Sequence, residues 1–329
     1  MYNIPEKINI ANLPTKIEKL ERLTQELGGA TIFIKRDDET GTEVSGNKIR
    51  KLEFSVKEAI DKGCDLLITC GGLQSNHCRA TAAIAAKLGI KSSLVLRGSM
   101  DDNYDGNLFL NRLLGADIKY ITPEEYKYKR IAIMEDLKSE YEAKGFKPYI
   151  IPEGASNGIG TFGYLNAMKE IISQEKELGI HFDKIVIAVG SGGTHAGLLL
   201  GSKLLNHNCE IYGINVCDDE DYFKDRIYHI LNESMDYLNV NLGFSKEEIN
   251  IIHGYVGRGY ALSSPENLEF ILHLAKLEGV ILDPVYTSKA MYGLAEEIKK
   301  GTFNKEENIL FIHTGGLFGL YPQRDLFTF

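Results

Sequence analysis

The run Ser45-Gly46-Asn47-Lys48-Ile49-Arg50-Lys51-Leu52 sets a lysine behind a tight polar turn, at the head of a helix-like stretch from Lys51 to Lys62. A lysine amine forms an imine with an aldehyde when part of it is neutral at working pH. A helix N-terminus and a neighbouring cation, here Arg50 or Lys51, both lower its pKa. Lys48 is therefore the first candidate for covalent chemistry, and an exposed lysine at a helix start is the ordinary alternative. Gly190-Ser191-Gly192-Gly193-Thr194 follows the apolar run Ile185 to Val189 and opens a helix. Backbone N–H groups, a helix dipole and the Thr194 hydroxyl would converge there, which suits a phosphate. The loop lacks the Gly-Lys-Ser/Thr ending of a nucleotide loop and the spacing of a dinucleotide fingerprint. A compact phosphate monoester is the expected ligand, against a bare strand-to-helix turn.

Gly71-Gly72-Leu73-Gln74-Ser75-Asn76-His77 also joins a strand to a helix. Here Asn76 can donate to a ring oxygen, Ser75 can offer a hydroxyl to substrate, and His77 can carry a proton. The competing reading makes Ser75 or Asn76 a helix cap and His77 a packing residue.

These segments need a scaffold that brings strand ends together. Short, continuously apolar strands are expected at Asp65–Cys70, Ser92–Leu96, Asp117–Ile121, Pro148–Ile151, Lys184–Val189, Glu210–Val216 and Asn308–His313. Helical patterns separate them at 76–88, 108–114, 124–144, 158–178, 194–205, 221–238, 265–274 and 289–300. Alternating order with strands apolar on both faces predicts an α/β protein with parallel sheets. Ligands of such sheets bind beyond the carboxyl ends of the strands. Four loops with glycine, proline or threonine sit there: 71–76, 190–194, 283–287 and 314–316.

The chain has 329 residues, which suggests about two domains. A net charge of -9 disfavours a general nucleic-acid binder. No stretch is apolar for long enough to span a membrane, and the first residues do not read as a signal peptide. Five dispersed cysteines, at 64, 70, 78, 209 and 217, predict a reducing, cytoplasmic setting without disulfides, and their spacing fits no metal site.

Five ordered segments resemble one family: Lys48 within Ser-Gly-Asn-Lys-Ile-Arg-Lys-Leu-Glu, Gln74-Ser75-Asn76-His77, Gly193-Thr194-His195-Ala196-Gly197, Asp283-Pro284-Val285-Tyr286-Thr287 and His313-Thr314-Gly315-Gly316. The family is that of the D-cysteine desulfhydrases and 1-aminocyclopropane-1-carboxylate deaminases, fold-type II pyridoxal 5'-phosphate enzymes. The resemblance spans nearly the whole chain. It implies a tryptophan-synthase β-like fold of two open, twisted, mainly parallel sheets, the smaller domain (51–154) inserted in the larger (1–50 with 155–329). It implies a homodimer acting on a small amino acid.

The resemblance puts the Schiff-base lysine at Lys48 and the cofactor phosphate on Ser191, Gly192, Gly193 and Thr194, with Lys51 as a further contact. It puts Asn76 on the cofactor's ring oxygen, Ser75 near the substrate carboxylate, and Tyr260 and Tyr286 in the active site. The cyclopropane-opening branch carries glutamate where this chain has Thr287 and leucine where it has Thr314. That branch also has glutamine at the positions of His77 and His195. Thr287 is thus expected beside the cofactor ring, and the four positions together point to the desulfhydrase branch. A glutamate at the ring nitrogen deepens the electron sink that ring opening needs, and thiolate loss needs it less.

The expected reaction is α,β-elimination of D-cysteine, with Lys48 removing the α-proton and Ser75 or Tyr286 assisting. Other β-substituted amino acids (D-serine, β-chloro-D-alanine, cysteate), 1-aminocyclopropane-1-carboxylate and a non-catalytic cofactor-binding regulator are the alternatives. Lys48, Ser75 and Asn76 occurring together argue against the last.

Overall fold

The computed structural model describes residues 2–100 and 104–329. Its larger sheet has six strands in the order β1 (Ile17–Lys19), β2 (Thr31–Lys35), β10 (Asn308–Ile312), β7 (Lys184–Val189), β8 (Glu210–Asn215) and β9 (Asn250–Ile252). Only β1 runs antiparallel to its neighbour. The smaller sheet is fully parallel, in the order β5 (Asp117–Ile121), β4 (Lys91–Arg97), β3 (Leu66–Gly72) and β6 (Pro148–Ile150). All its strands lie between β2 and β7 in the chain.

The central strands are apolar throughout because both faces are covered. In β7, Ile185, Ile187 and Val189 enter one core with α6 (Gly158–Leu178), α7 (Gly193–Leu204) and α8 (Glu220–Leu238). The alternate residues Val186 and Ala188 enter a second core with α1 (Glu21–Leu27), α9 (Pro265–Glu278) and α10 (Thr287–Lys300). In the smaller sheet, Leu66 and Ile68 face α5 (Pro123–Glu142), whereas Leu67 faces α2 (Asn47–Asp61) and α3 (Asn76–Leu88). The remaining helix, α4 (Gly106–Leu113), lies beside α3 with Leu108 buried. Each fully buried aliphatic side chain stabilises the fold by roughly 1.5–3 kcal/mol. Such strands hold even where their ends open into glycine loops. Among the described residues no helix is long and apolar enough to cross a membrane.

Helix α2 belongs to both halves. Its Ile49, Leu52 and Val56 pack under the smaller sheet, while Phe54 meets Phe162 of α6 at 6.0 Å between ring centroids. The fully buried Arg50 donates to Asp37 at 2.7 and 2.8 Å and to Glu170 of α6 at 2.9 Å. Tyr164 of α6 also donates to Asp37. Burial pushes the Asp37 carboxyl up, but the charge and hydrogen bonds of Arg50, with Lys35, outweigh it and hold it below its ordinary value.

The helix begins at Asn47, four residues before the pattern predicted. Asn47 N–H is anchored on the Thr314 carbonyl at 3.1 Å. Gly46, at φ +99°, passes so close to that carbonyl that a Cβ would lie 2.7 Å from it. This long-range crossing starts the helix early and puts Lys48 inside its first turn.

Candidate active site

The carboxyl ends of β3, β7 and β10 and the first turns of α2, α3 and α7 face one another across a cleft enclosing about 720 Å³, counting its mouth. Lys48 is half-buried in its wall. Burial lowers its amine pKa to about 8, against the charge of Glu153 and a hydrogen bond with Lys51. At that value roughly a tenth of the amines are neutral at pH 7, against less than a thousandth for an ordinary lysine. Room for the amine comes from Gly154, whose φ is +69°. A Cβ there would lie 3.3 Å from Lys48 Nζ and 2.5 Å from Ser191 Oγ.

Behind this wall Lys51 is fully buried and donates to Ser156 Oγ at 3.1 Å. Among the described residues it has no carboxylate partner. Burial, then the charges of Lys48 and Arg226, push its pKa well below the ordinary lysine range. Ser156 Oγ also lies 2.8 Å from Ser191 Oγ and accepts the Gly193 N–H at 3.2 Å. Arg226 donates to the Ser156 carbonyl at 2.9 Å. The loop before α7 therefore combines a helix N-terminus, a buried lysine amine with no carboxylate partner and a nearby guanidinium, an arrangement that favours a dianion. Thr194 Oγ1 accepts from Asn47 Nδ2 at 3.0 Å, locking the start of α7 to the start of α2.

On the facing wall, Ser75 caps α3 by accepting the Cys78 N–H at 3.2 Å. Capping uses an acceptor lone pair and leaves the hydroxyl hydrogen available, so the cap and site readings are compatible. Asn76 also lines the cleft, and its Oδ1 accepts from Asn107 of α4 at 2.9 Å. His77 Nε2 lies 2.7 Å from Thr69 Oγ1. That hydroxyl donates to the Ile151 carbonyl, so Nε2 carries the ring hydrogen. Burial, then the Lys48 and Lys51 charges, push the His77 pKa well below its ordinary value. The ring is neutral, which removes the proton-donor role open to it in sequence.

Tyr260 and Tyr286 share a hydroxyl–hydroxyl hydrogen bond in the lining. Burial raises both, Tyr260 to about 12 and Tyr286 further, so both are protonated at neutral pH. Thr314 completes the wall beside Gly315.

Ten predicted residues thus meet in one cleft: Lys48, Ser75, Asn76, His77, Ser191, Gly192, Thr194, Tyr260, Tyr286 and Thr314. Lys51 and Gly193 stand directly behind the wall, joined to it through Ser156. Thr287 is not brought to the wall. It is fully buried at the first position of α10, and its Oγ1 donates to Asp283 at 2.7 Å and accepts the Asp283 N–H at 2.8 Å. The Asp283 carboxylate caps α10, accepting the N–H groups of Val285, Tyr286 and Thr287. That capping geometry commits the threonine hydroxyl to Asp283.

Sequence reasoning missed Glu153, the one carboxylate in the lining among the described residues, together with Gly154, Ser156 and Asn47. Tyr126 donates to Glu153 at 2.6 Å. A signal was present, because Pro152-Glu153-Gly154 follows β6 just as the other glycine loops follow their strands.

The description that matches residues 8–315 is "Pyridoxal-phosphate dependent enzyme". The chain belongs to that family. It is 45% identical over 326 residues to an Arabidopsis thaliana protein named bifunctional D-cysteine desulfhydrase/1-aminocyclopropane-1-carboxylate deaminase, mitochondrial, covering 96% of this chain and 80% of that one. It is 38% identical to a Yersinia enterocolitica D-cysteine desulfhydrase, covering 96% of each. A crystal structure described as an ACC deaminase homologue superposes with a TM-score of 0.88 at 37% identity, covering 98% of this chain and 95% of that one. This is a pyridoxal-phosphate dependent enzyme of the D-cysteine desulfhydrase and cyclopropane-carboxylate deaminase group. The cleft fits its cofactor: an amine with lowered pKa stands free of side-chain crowding at Gly154, near a loop backed by a buried lysine that has no carboxylate partner among the described residues.

Proposed function

We propose that this enzyme eliminates sulfide from D-cysteine, giving pyruvate, ammonia and hydrogen sulfide. The observation that carries the choice is Thr314, a polar residue of the cleft wall. The cyclopropane-opening branch is expected to hold leucine there. A hydroxyl in the wall suits a polar, departing β-substituent better than an apolar cyclopropane ring.

Lys48 would hold the cofactor aldehyde, the Ser191–Thr194 loop with Lys51 its phosphate, and Asn76 its ring oxygen. Bound pyridoxal phosphate supplies an electron sink for the pair left at the α-carbon. Ser75 donates its hydroxyl hydrogen to the substrate carboxylate and fixes the amino acid's orientation. With its amine free, Lys48 would take the α-proton on Nζ, a role its lowered pKa suits. The Tyr260–Tyr286 pair stays protonated and offers a hydrogen bond to the departing sulfur, while the Lys48 ammonium, which has taken the α-proton, supplies the proton that leaves with it. Neutral His77 packs against the site without taking up that proton. The released aminoacrylate hydrolyses to pyruvate and ammonia.

The second reading, deamination of 1-aminocyclopropane-1-carboxylate, is favoured by the double name of the Arabidopsis relative. A panel of D-cysteine, L-cysteine, D-serine, β-chloro-D-alanine, cysteate and 1-aminocyclopropane-1-carboxylate decides between them, with sulfide, pyruvate and 2-oxobutyrate measured separately. Sulfide and pyruvate in equal amounts from D-cysteine alone is the expected result. Faster 2-oxobutyrate release from the cyclopropane substrate would replace this reading with the second.

A further inference from the structure

Three side chains meet at the amino-terminal ends of β7 and β8, the end of the larger sheet opposite the cleft. Glu175 lies in the last turn of α6, His181 in the connection to β7, and His207 in the connection to β8. Glu175 and His207 are almost fully buried, and His181 is about half exposed. Glu175 Oε1 accepts the Phe182 N–H at 2.7 Å and lies 3.1 Å from His181 Nδ1. Its Oε2 lies 2.6 Å from His207 Nε2. The three ligand atoms fall within 4.8 Å of one another.

The tautomer of His181 is fixed by its surroundings. Its Nε2 lies 2.8 Å from the Asn208 carbonyl, which can only accept. Nε2 therefore carries the hydrogen, and in the neutral ring Nδ1 bears a lone pair aimed at a carboxylate oxygen. Two lone pairs face each other there and need a cation between them. A proton would serve, and so would a metal ion. A metal-bound histidine ordinarily gives its other N–H to a backbone carbonyl, as His181 does.

We infer that Glu175, His181 and His207 form a site for a divalent transition-metal ion, zinc being the best match. Two imidazoles and a carboxylate are a zinc donor set, with water as the fourth ligand. Ligands about 2.0–2.1 Å from a tetrahedral ion lie roughly 3.3 Å apart, close to the 3.1 Å already present. The 2.6 Å pair has to open by less than an ångström. Exposed His181 gives the ion a way in, and the buried pair holds its place. The ion would pin the end of α6 to the starts of β7 and β8, outside the catalytic cleft. Separations of 6 and 26 residues along the chain make no recognisable motif, so a scan for metal-ligand spacing passes over it.

The test uses the holoenzyme, stripped with a chelator, incubated with zinc alone, desalted and assayed for metal per chain. Cobalt in place of zinc reports ligand geometry through its visible bands. One zinc per chain is expected. His181→Ala and His207→Gln should each weaken zinc retention by about tenfold or more, with cofactor content and turnover equal to wild type. Absence of retained zinc in the wild-type protein would overturn the site and leave a proton as the bridging cation. So would equal retention in wild type and His181→Ala. That variant decides the matter even if His207→Gln fails to fold, because its half-exposed ring is removed without opening the core.

Discussion

Replacing Gly154 by alanine tests whether the wall opposite Lys48 must be free of side-chain atoms. Two costs are involved and can be separated. Gly154 has φ +69°, and that left-handed backbone costs an L-residue roughly 1–2 kcal/mol. The new methyl would also lie 2.5 Å from Ser191 Oγ. It must push that hydroxyl away from Ser156, its partner at 2.8 Å, a bond worth about 1 kcal/mol net. Gly179, which ends α6 at φ +67°, has nothing within 4 Å of where its methyl would sit. Gly179→Ala should therefore lose about 1–2 kcal/mol of folding stability with cofactor affinity unchanged. Gly154→Ala should lose that amount plus the ~1 kcal/mol of the displaced bond and, with Ser191 shifted in the phosphate loop, bind cofactor about fivefold more weakly, the equivalent of ~1 kcal/mol. Cofactor dissociation constants from absorbance titration of the apoproteins, set beside urea midpoints, read the two costs independently. Equal cofactor affinity in the two variants would refute the argument that Gly154 keeps the wall clear.

Lys48→Ala should leave no cofactor fixed by borohydride and turnover at background; another labelled lysine would move the covalent site. Because burial sets the Lys48 amine near 8, covalent capture of cofactor by the wild-type apoprotein should quicken as pH rises through about 8 and then level off. A rate flat across that pH would show that a different amine reacts. Arg50→Met should cost about 3–5 kcal/mol in urea denaturation, since it leaves the buried Asp37 without its guanidinium partner and Glu170 with Lys35 alone. The Asp37 pKa is lowered in the fold, so its contribution is present above the ordinary carboxylate value and fades as pH falls through the lower folded one. The deficit of Arg50→Met should therefore shrink in acid, and a deficit independent of pH would assign it to lost packing alone.

Much of the scaffold was legible where local pattern and tertiary need agree. Helix α3 runs over Asn76–Leu88 and α6 over Gly158–Leu178, as the periodicity predicts, because Gly89 and Gly179 end them in left-handed caps. Strand β7 matches at both ends for a similar reason, an apolar run closed by glycine. Strand β2 escaped notice. Its Lys35 and the charged residues after it look like a solvated turn, yet Lys35 is fully buried against Glu170 and Gln174, more than a hundred residues away. The same distance hid Glu153 and Ser156, whose importance lies in what they meet across the cleft. Thr287 differs, because its partner Asp283 is four residues back and a cap there could have been read from the sequence.

Strand β10 is the last-made strand of the larger sheet, yet it pairs between β2 and β7 in the sheet's interior. The ribosome therefore delivers the strand that joins the two flanks only after everything on either side exists. Asn47, beside the reactive lysine, also waits for the carbonyl of Thr314 to anchor it. Cofactor loading must then follow synthesis of nearly the whole described chain rather than accompany it. A chain stopped after Lys305, lacking both β10 and Thr314, should retain no cofactor however long it is incubated with it.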